Sequence, residues 1–80
     1  MKKLVIGGIY QHYKGSRIKV LAEALHSETL EEMVVYLHLE DGVIWIRPKG
    51  MFLENVKVNR RSMERFKLIK SKILIRPKSK

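Results

Sequence analysis

The chain contains no cysteine, only two prolines and one tryptophan, and nothing close to a long apolar run. Without cysteine there is no disulfide framework and no thiolate metal site, which fits a reducing compartment. A membrane-spanning helix needs about 20 apolar residues in succession, and none is present. The apolar start at Leu4-Val5-Ile6 breaks at Gly7-Gly8. It is shorter than the roughly 7–15 residues of a secretory core, so the expected location is the cytoplasm, with no membrane partner. Gly7-Gly8 also lacks the spacing and the following helix of a phosphate-binding loop.

Acidic residues are scarce in one region above all. Residues 54–80 hold ten Lys/Arg against two Glu, whereas residues 1–53 hold seven Lys/Arg against six Asp/Glu. The net charge of +9 therefore belongs almost wholly to the last third of the chain. Such asymmetry attracts polyanions, nucleic acid first among them. A chain of 80 residues makes one domain. A domain of that size buries only about 60% of the surface its unfolded form exposes.

The pattern of what is present is that of short strands. Residues 8–13 read as a strand ended by the turn Lys14-Gly15-Ser16. In Arg17–Leu25, Ile18, Val20, Ala22 and Ala24 alternate with Arg17, Lys19 and Glu23, while Leu21 and Leu25 spoil the polar face. Thr29 and Glu32 match a capping box, which admits a helix over residues 30–38. The β-branched and aromatic run Val34-Val35-Tyr36, followed by Asp41-Gly42 and Val43-Ile44-Trp45-Ile46, favours a hairpin instead.

The hairpin register decides what is displayed. A two-residue turn at Asp41-Gly42 sets Leu37 opposite Ile46, His38 opposite Trp45 and Tyr36 opposite Arg47. Val35, Leu37, Leu39, Ile44 and Ile46 then form the core face, and Tyr36, His38, Trp45 and Arg47 share the other. A three-residue turn with a bulge moves Trp45 into the core. Both registers fit the sequence.

Pro48 ends that strand because it cannot donate to a ladder. Residues 49–56 read as a turn or short helical piece that plugs one end of a barrel with Met51, Phe52 and Leu53. Residues 59–64 read as a basic loop. Residues 65–69 read as a last strand with Phe66 and Leu68 inward. Ile73-Leu74-Ile75, within a basic tail, is a candidate edge strand. The expected fold is mainly β: a small SH3-like barrel of about five strands with one short helical turn. Its expected limits are residues 8–69, after a lead of residues 1–7 and before a tail of residues 70–80.

Six short stretches carry a resemblance. They are His12-Tyr13-Lys14-Gly15, His26-Ser27-Glu28-Thr29, Val34-Val35-Tyr36, Trp45-Ile46-Arg47-Pro48, Met51-Phe52 and Arg65-Phe66. In order and spacing the chain resembles the bacterial domain-of-unknown-function family numbered 1653 over about residues 8–69. The resemblance implies an SH3-like barrel and a family without an established biochemical function. Residues 59–62 and the tail after Lys70 depart from the pattern, so the strongest charge feature lies mostly outside it.

No catalytic residue, metal ligand or cofactor is expected. His12, His26 and His38 fall on different elements without ligand spacing. His26-Ser27-Glu28 has the residue types of a triad, but such groups converge from separate elements. Turn capping by Ser27 or Glu28 is the plainer role, and Glu28 or Glu40 is an expected partner for Arg47. Two binding readings remain. Arg60, Arg61, Arg65, Lys67, Lys70, Lys72, Arg76 and Lys78 are candidate phosphate contacts for nucleic acid, with RNA preferred. Tyr36, His38, Trp45 and Arg47 are a candidate aromatic-cationic patch for a protein or peptide, or for stacking a base.

Overall fold

The computed structural model describes residues 3–70. These residues form seven strands and one short helix: β1 Ile9–His12, β2 Arg17–Leu25, β3 Glu32–His38, β4 Ile44–Pro48, α1 Lys49–Leu53, β5 Asn55–Val58, β6 Arg61–Glu64 and β7 Phe66–Lys70. Five strands make one antiparallel sheet in the order β4-β3-β2-β1-β7, and β5 pairs with β6 in a separate hairpin. The five-stranded sheet curls around one aromatic core, giving a mainly β fold with one short helix, as expected. Its two edges approach through side chains: the Arg47 guanidinium of β4 lies 5.5 Å from the Phe66 ring of β7. Among the described residues no helix is long and apolar enough to cross a membrane.

Four aromatic rings carry the core. Phe52 and Phe66 stack at 4.2 Å, Tyr10 meets Phe52 edge-on at 5.2 Å, and Tyr36 packs 5.7 Å from both phenylalanines. Such rings bury about 150–250 Å² each and gain further from offset or edge contacts. Ile18, Val20 and Val34 fill the remaining space, and all three are buried. The helix α1 exists chiefly to deliver Phe52 after Pro48. Phe52 is fully buried and Leu53 packs beside it, while Met51, expected in the plug, stays 44% exposed.

The residues before β1 also pack. Leu4 and Val5 lie on the core, and the Val5 amide donates to the Tyr10 hydroxyl at 3.1 Å. Gly8 is needed there, because a Cβ would sit 3.0 Å from the Val5 carbonyl oxygen and 3.1 Å from Leu68.

Several expectations are corrected. The β3–β4 connection is a four-residue loop over 39–42, so neither expected turn forms. The His38 amide donates to the Val43 carbonyl, the Gly42 amide donates to the His38 carbonyl, and the Asp41 carboxylate accepts from the Val43 amide. Tyr36 therefore lies opposite Trp45, Leu37 opposite Ile44 and Arg47 opposite Val34. The core face is also the reverse of the one expected. Val34 and Tyr36 are buried, whereas Ile44 and Ile46 are 59% and 57% exposed. The cause is the aromatic layer formed by Phe52 and Phe66, which covers only the Tyr36 side.

In β2 a bulge between Val20 and Ala22 inserts Leu21 and flips the alternation. Ile18 and Val20 point inward as expected, but Ala22 lies opposite Val35 on the outer face. In β7 Leu68 lies opposite Tyr10 on the same inner face as Phe66, as expected, but at the rim, where it is 38% exposed; the register shift comes after it, before the Ile9–Lys70 pair. Finally, residues 59–64 do not form an open loop. Asn59 and Arg60 both take positive φ, at 52° and 68°, and close the tight β5–β6 hairpin.

Candidate ligand-binding cavity

The gap between the two sheet edges is a cavity of about 470 Å³. Its apolar walls are Tyr36, Trp45, Phe66 and Ile18, and its polar lining is His12, Lys14, Ser16, His38, Asp41 and Arg47. The four residues of the expected aromatic-cationic patch, Tyr36, His38, Trp45 and Arg47, all line it. Their shared face follows from β-strand alternation and from the Tyr36–Trp45 register. Trp45 lies on edge strand β4 and is 51% exposed.

Arg47 is held in place at this mouth. Its Nε donates to the Tyr36 hydroxyl at 3.4 Å, and its guanidinium lies over the Phe66 ring. A cation over an aromatic face is attracted by the ring quadrupole. The expected partners Glu28 and Glu40 do not take that role. Arg47 is thereby oriented toward the cavity and keeps guanidinium donors beyond Nε.

His12 forms the opposite wall. Its Nδ1 accepts from the Lys14 backbone amide at 3.1 Å, and its ring meets Phe66 edge-on at 4.9 Å. An accepting Nδ1 places the proton of the neutral ring on Nε2. Burial holds the His12 pKa below the usual histidine value, and the positive charges of Arg47, Arg65 and Lys14 push it in the same direction. Among the charged residues that line the cavity, Lys14 and Arg47 stand against Asp41 alone. The acidic lining residue Asp41 sits at the rim, 57% exposed, with its carboxylate 3.6 Å from His38 Nδ1.

His12, Lys14 and Phe66 were not among the candidate residues of the patch. The signal for them was their place in the shared stretches His12-Tyr13-Lys14-Gly15 and Arg65-Phe66. Curling of the sheet brings those stretches to Val34-Val35-Tyr36 and Trp45-Ile46-Arg47-Pro48.

The basic candidates scatter by comparison. Arg60 and Arg61 lie at the β5–β6 turn and are exposed. Arg65 is 19% exposed and its Nη2 is tied to the Glu54 carboxylate at 2.6 Å. Lys67 and Lys70 project from β7 into solvent. Lys72, Arg76, Lys78 and the Ile73-Leu74-Ile75 segment lie outside the described residues. Residues 3–70 hold twelve Lys/Arg against eight Asp/Glu, so they carry +4 of the total charge.

His26 and Glu28 lie at the far end of the β2–β3 hairpin from His38 and line no part of the cavity. Their stretch is a capped turn, but the cap differs from the one expected. The His26 Nδ1, not Ser27 or Glu28, accepts from the Glu28 and Thr29 amides at 3.1 and 3.3 Å. The Thr29 hydroxyl accepts from the Glu31 amide, and Leu30 closes the turn at a positive φ of 63°. Glu23 on β2 and Glu32 at the start of β3 both pair with Lys49 at the start of α1.

Comparison with known proteins agrees with this architecture. The family described as "Protein of unknown function (DUF1653)" matches residues 8–68. A crystal structure of a protein belonging to DUF1653 from Bordetella bronchiseptica is similar with a TM-score of 0.74 and 27% identity, covering 88% of this chain and 92% of that one. No curated protein matches the chain.

Proposed function

This chain belongs to the DUF1653 family, and from that premise we propose that it is a non-enzymatic module that binds single-stranded nucleic acid, RNA in preference, through the cavity between β4 and β7. The observation that carries the reading is a half-exposed Trp45 beside a pre-set Arg47 at the mouth of a cavity that Lys14 also lines. Base-on-aromatic stacking tolerates any base and contributes about 1–3 kcal/mol per base. Arg47 and Lys14 supply cations for the phosphate beside that base, and phosphate contacts make affinity fall steeply with salt. Lys67 and Lys70 on β7 add positive charge beyond the cavity, and the sequence from Lys72 onward is basic.

Four of the six stretches that carry the family resemblance contribute side chains to the cavity, at His12, Lys14, Tyr36, Trp45, Arg47 and Phe66. The basic tail lies mostly outside that resemblance. The cavity is therefore the specific part of the site, and the tail adds affinity without selecting a sequence.

The test is fluorescence anisotropy of labelled single-stranded RNA with the full chain and with Trp45→Ala, across a salt series. The expected loss for Trp45→Ala is about 5- to 150-fold, the range that a stacked base corresponds to, with little change in thermal midpoint. Unaltered affinity in Trp45→Ala, or no binding by the parent chain near physiological salt, overturns the reading. In the second case, binding of a peptide carboxylate at Arg47 with shallow salt dependence becomes the better account.

A further inference from the structure

A second cavity of about 420 Å³ lies beside the first and shares one lining residue with it, His12. It opens between the β1–β7 edge and the β5–β6 hairpin, and its lining includes Gln11, Tyr13, Met63, Glu64 and Lys67. The two cavities are similar in size, and each exceeds the roughly 300 Å³ at which small-molecule clefts begin. His12 is the ridge between them.

The chemistry of the second cavity repeats that of the first in a weaker form. Tyr13 supplies an aromatic ring 4.5 Å from the His12 ring, as Trp45 supplies one across the first cavity. The Lys14 ammonium stands 5.8 Å from the centre of the Tyr13 ring, and Lys14 lines the first cavity. Lys67 is set by its register opposite Gln11 and adds a cation. The Glu64 carboxylate also lines this cavity, which disfavours a phosphate within it. The cations therefore concentrate at the ridge and its flanks, with an aromatic ring in a hollow on either side.

We infer that this second cavity seats the neighbouring nucleotide of the same strand, so that His12, Lys14 and Arg47 hold the phosphate between two stacked bases and the smallest full ligand is a dinucleotide. The inference rests on the nucleic-acid reading and adds to it a second subsite and a footprint. A pocket that merely buries solvent gives no reason for a histidine ridge flanked by Lys14, Arg47 and Lys67 with a ring on either side.

The experiment is quenching of Trp45 fluorescence in the full chain by adenosine 5′-monophosphate and by the adenylyl di- and trinucleotides, at one fixed ionic strength. The expected result is a gain of tenfold or more from mono- to dinucleotide and a gain of less than threefold from di- to trinucleotide. Tyr13→Ala is expected to bring the first ratio close to one, and Lys67→Gln to lower it in part. Lys67→Gln keeps the test alive if the Tyr13 variant does not fold. Quenching by all three ligands with equal affinity overturns the second subsite and leaves the first standing. A gain that survives both variants does the same, because it then reflects added charge alone. Quenching by none of the three overturns the subsite and the nucleic-acid reading together.

Discussion

Val34 and Val35 are adjacent valines on β3, yet Val34 is fully buried and Val35 is only partly covered. The contrast extends across the hairpin. One face carries Val34, Tyr36, Trp45 and Arg47; the other carries Val35, Leu37, Ile44 and Ile46. Counted by aliphatic side chains, the second face is the more apolar, yet apart from Met33, which is 8% exposed, its side chains are half-buried or exposed. Burial goes to the face that another layer can reach. Here that layer is the stacked pair Phe52 and Phe66, delivered by α1 and β7. The first face gains a core at one end and a cavity at the other, since the same alternation that buries Tyr36 presents Trp45 and Arg47 at the open edge.

The strongest way to break this contrast is to remove its cause. Phe52→Ala takes out the ring that touches Tyr10, Tyr36 and Phe66. The expected loss is about 3–5 kcal/mol, the usual cost of deleting a buried phenylalanine. A domain of this size has about 5 kcal/mol in total, so urea titration is expected to find the variant largely unfolded. A midpoint shifted by less than one kcal/mol in equivalent free energy contradicts the aromatic-layer account.

A pair of matched substitutions sharpens it. Val34→Ala is expected to cost about 2 kcal/mol, from two lost methyl groups at roughly 0.8 kcal/mol each and a small cavity. Val35→Ala is expected to cost less than half as much, because its side chain is already part-solvated. Equal losses in urea midpoints show that the two faces are equivalent and that something in solution covers the outer one.

These residues also mark how far the sequence could be followed. The strands β1 to β4 were legible because their alternation is clear and Pro48 forces an end. The helical plug was legible because Phe52 follows Pro48 within one turn. The β3–β4 loop was not, because Asp41-Gly42 fits a two-, three- or four-residue connection equally well, and only the loop length fixes which side chain lies opposite Trp45. The bulge at Leu21 leaves no composition signal. The β5–β6 hairpin was hidden for another reason: its turn places Arg60 at positive φ, where glycine or asparagine is the usual sign. The cavity was half legible. Tyr36, Trp45 and Arg47 are close in sequence, but His12, Lys14 and Phe66 reach them only through the curl of the sheet.

A smaller effect separates the two faces by pH. His12 belongs to the cavity face, and burial together with Arg47, Arg65 and Lys14 lowers its pKa in the fold. The unfolded chain therefore binds the proton more readily than the folded one. Stability is then full above the unfolded value near 6.5 and falls as pH drops from there toward the folded pKa. Thermal midpoints between pH 7.5 and 5 are expected to decline in the parent chain and to decline less in His12→Gln. The outer face has no titrating histidine to add to this. Parallel profiles for the two proteins remove His12 as the source.

The smallest expected effect is also the sharpest check on the comparison, because it asks an exposed isoleucine to do nothing. Ile46 is 57% exposed on edge strand β4, opposite Val35. Threonine keeps the β-branched shape that a strand favours and removes only apolar surface that is already largely in water. Surface substitutions of this kind change stability by no more than about 0.5 kcal/mol. Ile46→Thr is therefore expected to leave the urea midpoint and the nucleic-acid affinity where they were, although Trp45 and Arg47 are its immediate neighbours. Strand alternation is what separates them: the side chains on either side of Ile46 point into the cavity, and its own points away. A loss of affinity without a loss of stability places the ligand on the outer face and reverses the assignment of the two sides.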